Sequence, residues 1–480
     1  MRRALLLFAA IALLRAVSAP AAPAAPAAPA APAAPAAPAW PAPAVAERYV
    51  RQAFADNLAL QSQALDVGAA RARANATQGA RQPRLDLLAR YTLANGGRTI
   101  DVPSGDLINP AYGALNSLLT AAGRPANFPV VENLAIPLLR EREQETKLRV
   151  TAPLFNAELS RLASSRQSGI AAATAQRAAA RRELRLGVLA AYYTVLRAQS
   201  AEQILTGSLE LTAEALRTAR VLFSVDQATE DRVLRAEADD LAVNQQLADA
   251  PRDRLAALTA FNALLHRPLD APVDAPPPEE LAALTATLLA SDVAVAALPE
   301  SREELAALRA AAAEASAAEA AVRARQRPTL AFVADGGIQG SAYRTGHGTN
   351  YAQASLVGEF NLWDGRQRAN EIEVARSQRR KLELRLETVR EQLAVELRLA
   401  AGELAAARSA FPAADRRTAA ATRAFEIVSA RDREGLANQL AFLDARQTLT
   451  AARLNLEITR QRLFLAAARI DRATAASPLD

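Results

Sequence analysis

The chain of 480 residues contains no cysteine, only two histidines and few aromatic residues, and each shortage excludes something. Without cysteine, neither a disulfide framework nor a thiolate metal site can form. His266 and His347 are far apart, and the sequence has neither a glycine-rich phosphate loop nor a nucleophile elbow. We therefore predict that the protein is not an enzyme and binds neither a cofactor nor a metal ion.

Lysine is also scarce, since Lys147 and Lys381 are the only lysines among 57 basic residues. The formal net charge of +6 is spread over a chain that also carries 51 acidic residues. This distribution is typical of solvated helix faces and argues against a nucleic-acid partner. The low aromatic content and the abundant alanine favour long, closely packed helices over a thick globular core.

After the N-terminus, no run of 18 apolar residues occurs, so no transmembrane helix is expected. The N-terminus itself carries two arginines, the apolar run 4–14 and the small residues Val17, Ser18 and Ala19. These features predict a secretory signal peptide over residues 1–19. Residues 20–44 are almost entirely Pro-Ala-Ala repeats, which predict an extended spacer.

Four segments alternate between apolar and polar residues, which predicts two-faced strands. Each strand is about 9–13 residues long, close to the length that crosses a bilayer. An ordinary soluble hairpin with one buried face is the alternative. Aromatic residues near the strand ends predict an interfacial belt, formed by Tyr91, Phe155, Tyr351, Phe360 and Trp363. Four strands cannot close a barrel in lipid, so several chains would have to pool them, and a trimer would supply twelve.

A helix-like segment of about seventy residues, roughly 100 Å long, follows the second strand of each half. The junctions LFNA (154–157) and LWDG (362–365) match, and so do the chain reversals at Asp226 and Gly435. The sequence therefore predicts a duplicated unit of helix, strand, loop, strand, long helix, turn and returning helix. The first repeat covers 45–265 and the second 301–473, with a connector at 266–300 and a tail at 474–480. The longer strand connection of the first repeat is predicted to be a loop insertion.

Apolar spacing also predicts how the helices pack. A single helix over residues 44–79 would place four apolar residues on one side, namely Val50, Phe54, Leu58 and Leu65. Within the first long helix a coiled-coil seam is predicted, formed by Leu205, Leu209, Thr212, Leu216, Ala219 and Phe223. Pro412 lies inside the second long helix, where we expect a bend because proline removes one backbone hydrogen bond.

The signal peptide, the duplication, the two junctions and the reversal GLANQLAFLDA resemble the TolC-type outer membrane efflux protein family. The resemblance extends from about Val45 to Ala473. It implies a mainly α chain with a small transmembrane β part, assembled as a homotrimer. Four strands per chain would form a 12-stranded β-barrel in the lipid of the outer membrane, continuous with a long periplasmic α-helical barrel. The connector would form an equatorial region with the C-terminus.

The resemblance also implies a function. Such proteins are passive exit ducts of tripartite efflux pumps or type I secretion systems, leading from an inner-membrane transporter across the periplasm and outer membrane. Their partners are a periplasmic adaptor and the inner-membrane pump. The tip turns would contact these partners, through Val225, Asp226, Ala228, Gly435, Ala437 and Asn438. The alternative is a soluble periplasmic coiled-coil scaffold or adaptor, which explains the helices but leaves the alternating strands without a purpose.

In the family, two acidic residues one helical turn apart often constrict the periplasmic mouth. Asp444 matches the later position, whereas Ala441 occupies the earlier one. The family's tip arginine and tyrosine fall on Ala437 and Asp432, so the usual closing links are absent. Asp444 is therefore the one gate candidate, and its alternative interpretation is a solvent-facing charge on a coiled coil.

Replacement of Asp444 tests this gate. A ring of three carboxylates favours cations and binds divalent ions. We expect Asp444→Ala to raise single-channel conductance in planar bilayers and to weaken block by divalent cations. Unchanged conductance would remove Asp444 from the gate.

Overall fold

The computed structural model describes residues 40–290, 300–433 and 439–479. The predicted signal peptide, nearly all of the spacer and part of the connector lie outside the described residues. So do Gly435, Ala437 and Asn438 of the second tip turn. The predicted domain bounds stay predictions.

The described elements repeat in the predicted order. The first repeat contains α1 (Ala44–Asp56), α2 (Leu58–Gly79), β1 (Arg84–Leu93), β2 (Thr99–Val102), α3 (Ser104–Ala121), β3 (Leu134–Pro137), β4 (Arg142–Phe155), α4 (Ala157–Ser224) and α5 (Glu230–Leu264). The connector contributes α6 (Pro278–Ala290). The second repeat contains α7 (Glu303–Ala324), β5 (Thr329–Gly340), β6 (Asn350–Glu359), α8 (Gln367–Arg433) and α9 (Gln439–Thr474).

The two long helices are nearly equal, with 68 residues in α4 and 67 in α8. Each is therefore about 100 Å long. Helix α8 continues through Pro412 without interruption, and the bend expected there stays a prediction. None of the described helices is both long enough and apolar enough to span a membrane.

One antiparallel sheet joins the two repeats. Its strand order is β1-β4-β5-β6, so β4 of the first repeat pairs directly with β5 of the second. Strands β1 and β6 lie at the two edges, and each has one side without a partner strand in the described chain. The four strands end together at the helices, because Arg84 pairs with Thr151 and Thr329 pairs with Glu359.

The insertion between β1 and β4 differs from the predicted loop, because it is folded. It contains helix α3 of 18 residues and a two-stranded sheet in which Ile100 pairs with Ile136. Short polar and glycine-rich links between these elements account for the loop-like composition.

The predicted single helix over 44–79 is wrong, since it is interrupted at Asn57. This residue has extended backbone angles, and its side chain accepts a hydrogen bond from the amide of Leu60 at 3.1 Å, which starts α2. The cap changes the rotational phase of the helix, so Leu58 and Leu65 are exposed. The buried residues of α2 are instead spaced by seven, namely Leu60, Val67 and Ala74.

The main core lies where the connector meets the middle of both long helices and the C-terminal ends of α5 and α9. Tyr49, Tyr192 and Phe261 pack there with ring centroids 5.1–5.9 Å apart. Leu288 of α6 and Ile470 of α9 belong to the same cluster, so the connector and the C-terminal helix share one core. Outside this main core, the described parts of the two long helix pairs contain small hydrophobic clusters, because alanine-rich seams bury little apolar area per residue.

Buried arginines connect the helices that surround the main core. The guanidinium of Arg185, on α4, contacts Glu47 of α1 at 2.5 Å and Asp471 of α9 at 3.3 Å. Arg302, immediately before α7, donates to the backbone oxygen of Arg472 at 2.6 Å. Charged hydrogen bonds between buried groups fix the relative position of helices whose alanine surfaces could otherwise slide.

Candidate channel-forming site

The four-stranded sheet has two chemically different faces. Alternate residues of β4 place Glu145, Lys147 and Arg149 on one face, whereas Leu148 and Val150 lie on the other. The pairing partners follow the same alternation, since Asp86 is paired with Arg149 and Leu87 with Leu148. We call these the charged face and the apolar face.

The charged face carries a connected set of ion pairs. Arg149 donates two hydrogen bonds to Asp335, at 2.7 and 2.8 Å, and Gln353 donates to the same carboxylate at 2.9 Å. Lys147 and the Tyr351 hydroxyl both donate to Glu145, at 2.7 and 2.8 Å. A polar network of this kind is suited to the water-filled interior of a membrane barrel.

The apolar face is bare in the described chain. Its large side chains are between about half and three-quarters exposed, and they include Leu85, Leu87, Tyr91, Leu93, Leu148 and Leu356. A contiguous apolar surface of this kind needs a cover, and lipid would supply one along the whole sheet.

All five predicted belt residues lie near the ends of the strands. Tyr91 lies near the loop end of β1, and Phe155 ends β4 at the helices. An irregularity in the pairing between Pro153 and Phe155 places Phe155 opposite Leu330. Phe360 and Trp363 follow β6 directly and are exposed, with Trp363 at 84%.

Tyr351 does not join the other four. It is the second residue of β6 and pairs with Gly337, which pairs with Lys147, so it lies on the charged face. An interfacial role stays a prediction for Tyr91, Phe155, Phe360 and Trp363, whereas the hydroxyl of Tyr351 binds Glu145 on the opposite face.

The first tip turn connects the C-terminal end of α4 to the N-terminal end of α5. Asp226 adopts a left-handed backbone conformation with φ of 57°, and its amide donates to the Phe223 oxygen at 3.1 Å. Aspartate tolerates this conformation better than most residues. Val225 and Asp226 are exposed and Ala228 is half-buried. The turn therefore presents Val225 and Asp226 outward.

Asp444 lies in the second turn of α9, on an exposed part of the helix. Ala441, one turn earlier, is also exposed. The structure thus places Asp444 close to the predicted tip, where its gate role stays a prediction.

A buried arginine near the tip was not identified from the sequence. Arg446 of α9 is 3% exposed, and its guanidinium contacts Asp239 of α5 at 2.5 Å. It also donates to the hydroxyl of Ser208 on α4 at 2.8 Å. One side chain therefore connects the second repeat to both helices of the first. The signal was available, since Arg446 occupies a position in the apolar series that continues with Leu449 and Ala452.

This contact also corrects the predicted seam of α4. Ser208 is buried in place of Leu209, and Phe223 is 46% exposed. Burial raises the pKa of Asp239 above its ordinary value, although the neighbouring Arg446 opposes the shift. The carboxylate of Asp239 thus depends on Arg446 to remain charged away from water.

A second link between the repeats lies nearer the turns. Arg232 of α5 contacts Asp432 of α8 at 3.7 Å, and Gln439 donates to the Arg232 oxygen at 2.6 Å. Asp432 stands at the position where the resemblance would place the family's tip tyrosine. Polar links between the repeats are therefore present near the tip, but different residues make them.

Comparisons with known proteins agree with this geometry. Residues 295–476 match the family model described as outer membrane efflux protein. No curated protein sequence gave a match. Among solved structures, the CmeC outer membrane channel of Campylobacter jejuni is similar at 14% identity with a TM-score of 0.71, covering 90% of this chain and 86% of that one.

Two further solved structures show the same similarity. The outer membrane protein VceC of Vibrio cholerae is 16% identical with a TM-score of 0.70, covering 90% of this chain and 96% of that one. The open-state MtrE outer membrane channel of Neisseria gonorrhoeae is 18% identical with a TM-score of 0.69, covering 89% and 88%. At these identities the similarity establishes the fold.

The fold is thus the one that these outer membrane channels share. Residues 295–476, which include the second repeat, match the outer membrane efflux protein model, in agreement with the resemblance stated from the sequence.

An arginine introduced on one face of the sheet should have a different effect from an arginine introduced on the other. Leu87→Arg places a charge on the apolar face, where arginine near the bilayer midplane costs about 2–4 kcal/mol. We expect less protein in the outer membrane fraction and a lower melting temperature in detergent. Ser355→Arg is the matched control on the charged face and should leave both unchanged. Equal effects of the two substitutions would contradict the assignment of faces.

The link made by Arg446 predicts a gating phenotype. Arg446→Met keeps the bulk but leaves Asp239 buried without its cation, and breaking a buried pair costs about 3–5 kcal/mol. We expect the helices of the two repeats to separate more easily near the tip and single-channel conductance to rise. Arg453→Met, an exposed change one heptad later on α9, is the control. If both variants conduct like the wild type, Arg446 has no part in closure.

Proposed function

We propose that this protein is the exit duct of a tripartite efflux pump or type I secretion system, assembled as a homotrimer. The single observation that carries the proposal is the sheet, which is charged on one face, bare and apolar on the other, and unpaired at both edges. The further arguments concern how copies join, how the two barrels connect and where partners bind.

The sheet edges require additional strands. In lipid, an unpaired edge leaves backbone N–H and C=O groups without any hydrogen-bond partner, and each such group costs several kcal/mol. If β6 of one copy pairs with β1 of the next, the edges disappear and three copies give a closed barrel of twelve strands. The charged face then lines the lumen, and the leucines of the apolar face contact lipid.

The helices show the same need for neighbouring copies. Helix α5 buries one row of residues spaced by seven within its own chain, namely Ala236, Val243, Ala250 and Ala257. It exposes a second row with the same spacing, namely Leu234, Leu241, Ala248 and Leu255. A heptad row is the contact surface of a coiled coil, and this one has no helix against it in the described chain. A neighbouring copy would cover it.

The strand-to-helix junctions make the two parts continuous. The side chain of Asn156 accepts a hydrogen bond from the Leu159 amide at 3.0 Å and begins α4 directly after β4. At the second junction, Asp364 binds Arg368, and the hydrogen bond from Arg368 holds the pKa of Asp364 below its ordinary value. Each long helix therefore starts close to the end of a strand. A ring of these long helices and their returning helices, contributed by the three copies, would continue the β-barrel as an α-barrel.

The duct is passive in this proposal. Its lumen in the membrane carries paired charges, and the described residues include no cluster of side chains that could hold a metal ion. Energy would come from an inner-membrane pump joined through a periplasmic adaptor. The exposed Val225 and Asp226 of the first tip turn, with the second turn around Gly435, are the surfaces proposed to meet them.

Fractionation distinguishes the duct from the soluble scaffold. A duct should be recovered with the outer membrane and should require detergent for extraction, because its leucines face lipid. A periplasmic scaffold would be released by osmotic shock. Recovery in the soluble fraction would overturn the proposal.

The exposed heptad row of α5 predicts the assembly phenotype of a point variant. Leu241→Arg places three charges into the proposed contacts between copies, where a charge buried without a partner costs several kcal/mol. We expect loss of the trimer in size-exclusion chromatography with multi-angle light scattering. Gln246→Arg, an exposed position on the same helix about 140° around the axis from the row, should remain trimeric. A trimer that tolerates Leu241→Arg would show that this row is not the contact.

A further inference from the structure

The folded insertion between β1 and β4 has no role in the duct described so far. We call residues 94–141 the outer lobe; it leaves the sheet after Leu93 and returns at Arg142, at the strand ends opposite the helices. In the proposed arrangement these ends are the outer mouth of the barrel. The inference below therefore rests on the proposed function.

Asparagine side chains hold the outer lobe together. Asn109 of α3 donates to the Val131 oxygen and accepts from the Val131 amide, both at 2.8 Å. Asn116, two turns later, makes the same pair of bonds with Phe128, at 2.9 and 3.1 Å. Asn133 accepts from the amide of Gly105 at 2.9 Å. The extended segment 128–133 is thereby fixed along one side of α3.

Gly105 shows how closely these parts approach. A Cβ atom at this position would lie 2.3 Å from the backbone oxygen of Val131, so a side chain cannot be accommodated without a shift. Tyr112 and Phe128 add a ring contact with centroids 4.9 Å apart. These hydrogen bonds and close contacts give the outer lobe a defined fold and therefore a defined outer surface.

The arrangement is the reverse of that in a soluble domain. The asparagines point inward, and the outward side of α3 is an apolar ridge formed by Leu107, Ile108, Ala111, Ala114, Leu115 and Leu118. Leu107 and Leu118 are 74% and 68% exposed. The small sheet continues this surface with exposed Ile100, Val102, Leu134 and Ile136. An apolar helix face of this extent is normally buried against another surface.

Charge argues against lipid as the cover. Helices that lie on a membrane surface typically carry lysine and arginine on their polar side, which bind anionic headgroups. Helix α3 contains no basic residue, and Asp106 is its single charge. Segment 128–133 occupies the asparagine side of α3, and the exposed polar residues that remain, Asp106, Ser117 and Thr120, offer no positive charge to an anionic headgroup.

Position and size favour other copies of the same lobe. The lobe follows edge strand β1, which in the trimer pairs with the neighbouring chain, so each lobe stands beside a contact between copies. A twelve-stranded barrel with strands about 4.8 Å apart and tilted about 40° is roughly 24 Å across. Helix α3, with 18 residues, is about 27 Å long. Three such helices directed over one mouth of this width would lie close enough to contact one another.

We propose that the three outer lobes pack against one another through the ridge of α3 and cover the outer mouth of the duct. The apolar ridge of each lobe is thus covered by the lobes of the second and third copies of this chain. It restricts passage at the end of the barrel opposite the tip turns, in addition to any closure there. Cargo leaving the duct must displace these contacts.

The absence of cysteine makes cross-linking a direct test. The variant Leu118→Cys is treated in isolated outer membranes with a short bifunctional maleimide, and Arg124→Cys, exposed on the lobe but outside the ridge, is the matched control. We expect covalent dimers from Leu118→Cys and none from Arg124→Cys. Trimeric assembly of both variants is measured first by light scattering in detergent.

A conductance measurement gives the functional readout. The double variant Leu107→Ser with Leu118→Ser should raise single-channel conductance while the trimer persists, because the ridge loses its apolar contacts. Unchanged conductance in an intact trimer would overturn the proposed cover.

The remaining outcomes separate this proposal from the one on which it rests. An intact trimer of the Leu118→Cys variant that forms no covalent dimers overturns the lobe contact and leaves the duct standing. Quenching of a fluorophore on the introduced cysteine by brominated lipid would show that lipid covers the ridge, which also overturns the lobe contact. Absence of a wild-type trimer overturns the proposed function itself.

Discussion

The backbone hydrogen bonds at the two open edges of the sheet constrain the rest of this molecule. Strands β1 and β6 each have one unpaired side in the described chain, and hydrocarbon offers no substitute partner for their N–H and C=O groups. Ring closure by further copies satisfies them all. In the proposed trimer, the same closure would place the charged face inside, the leucines of the apolar face outside and the exposed heptad row of α5 against a neighbour.

Arginine is the residue that positions the alanine-rich helices. Small side chains allow close helix approach but offer little to prevent sliding along the axis. Arg185 and Arg446 each bridge different helices through carboxylates, at 2.5 Å in both cases, and Arg149 does the same between two strands. Because guanidinium binds carboxylate with fixed geometry, a few such contacts define the relative height of helices about 100 Å long. The near absence of lysine is consistent with this use.

Periodicity made much of the fold predictable from the sequence. The four alternating strands and the two long helices of about seventy residues were predicted in the order in which they occur, because each repeats one local pattern many times. Errors arose where one residue changed the pattern. The cap at Asn57 rotated Leu58 and Leu65 to the surface, and the hydroxyl of Tyr351 binds Glu145 on the charged face. Neither effect is visible in hydrophobic spacing.

The sequence by itself determined the duplicated unit, the two-faced strands and the resemblance to a known family, since each depends on local order and residue alternation. The tertiary structure alone decided which residues meet. Arg446 and Asp239 are about two hundred positions apart, and only the packing of α9 against α5 brings them together. The outer lobe is a similar case, because Asn109 and Asn116 look like loop residues until segment 128–133 lies against them. A hydrogen bond between distant residues leaves no periodic trace in the chain, and for that reason these contacts required the fold.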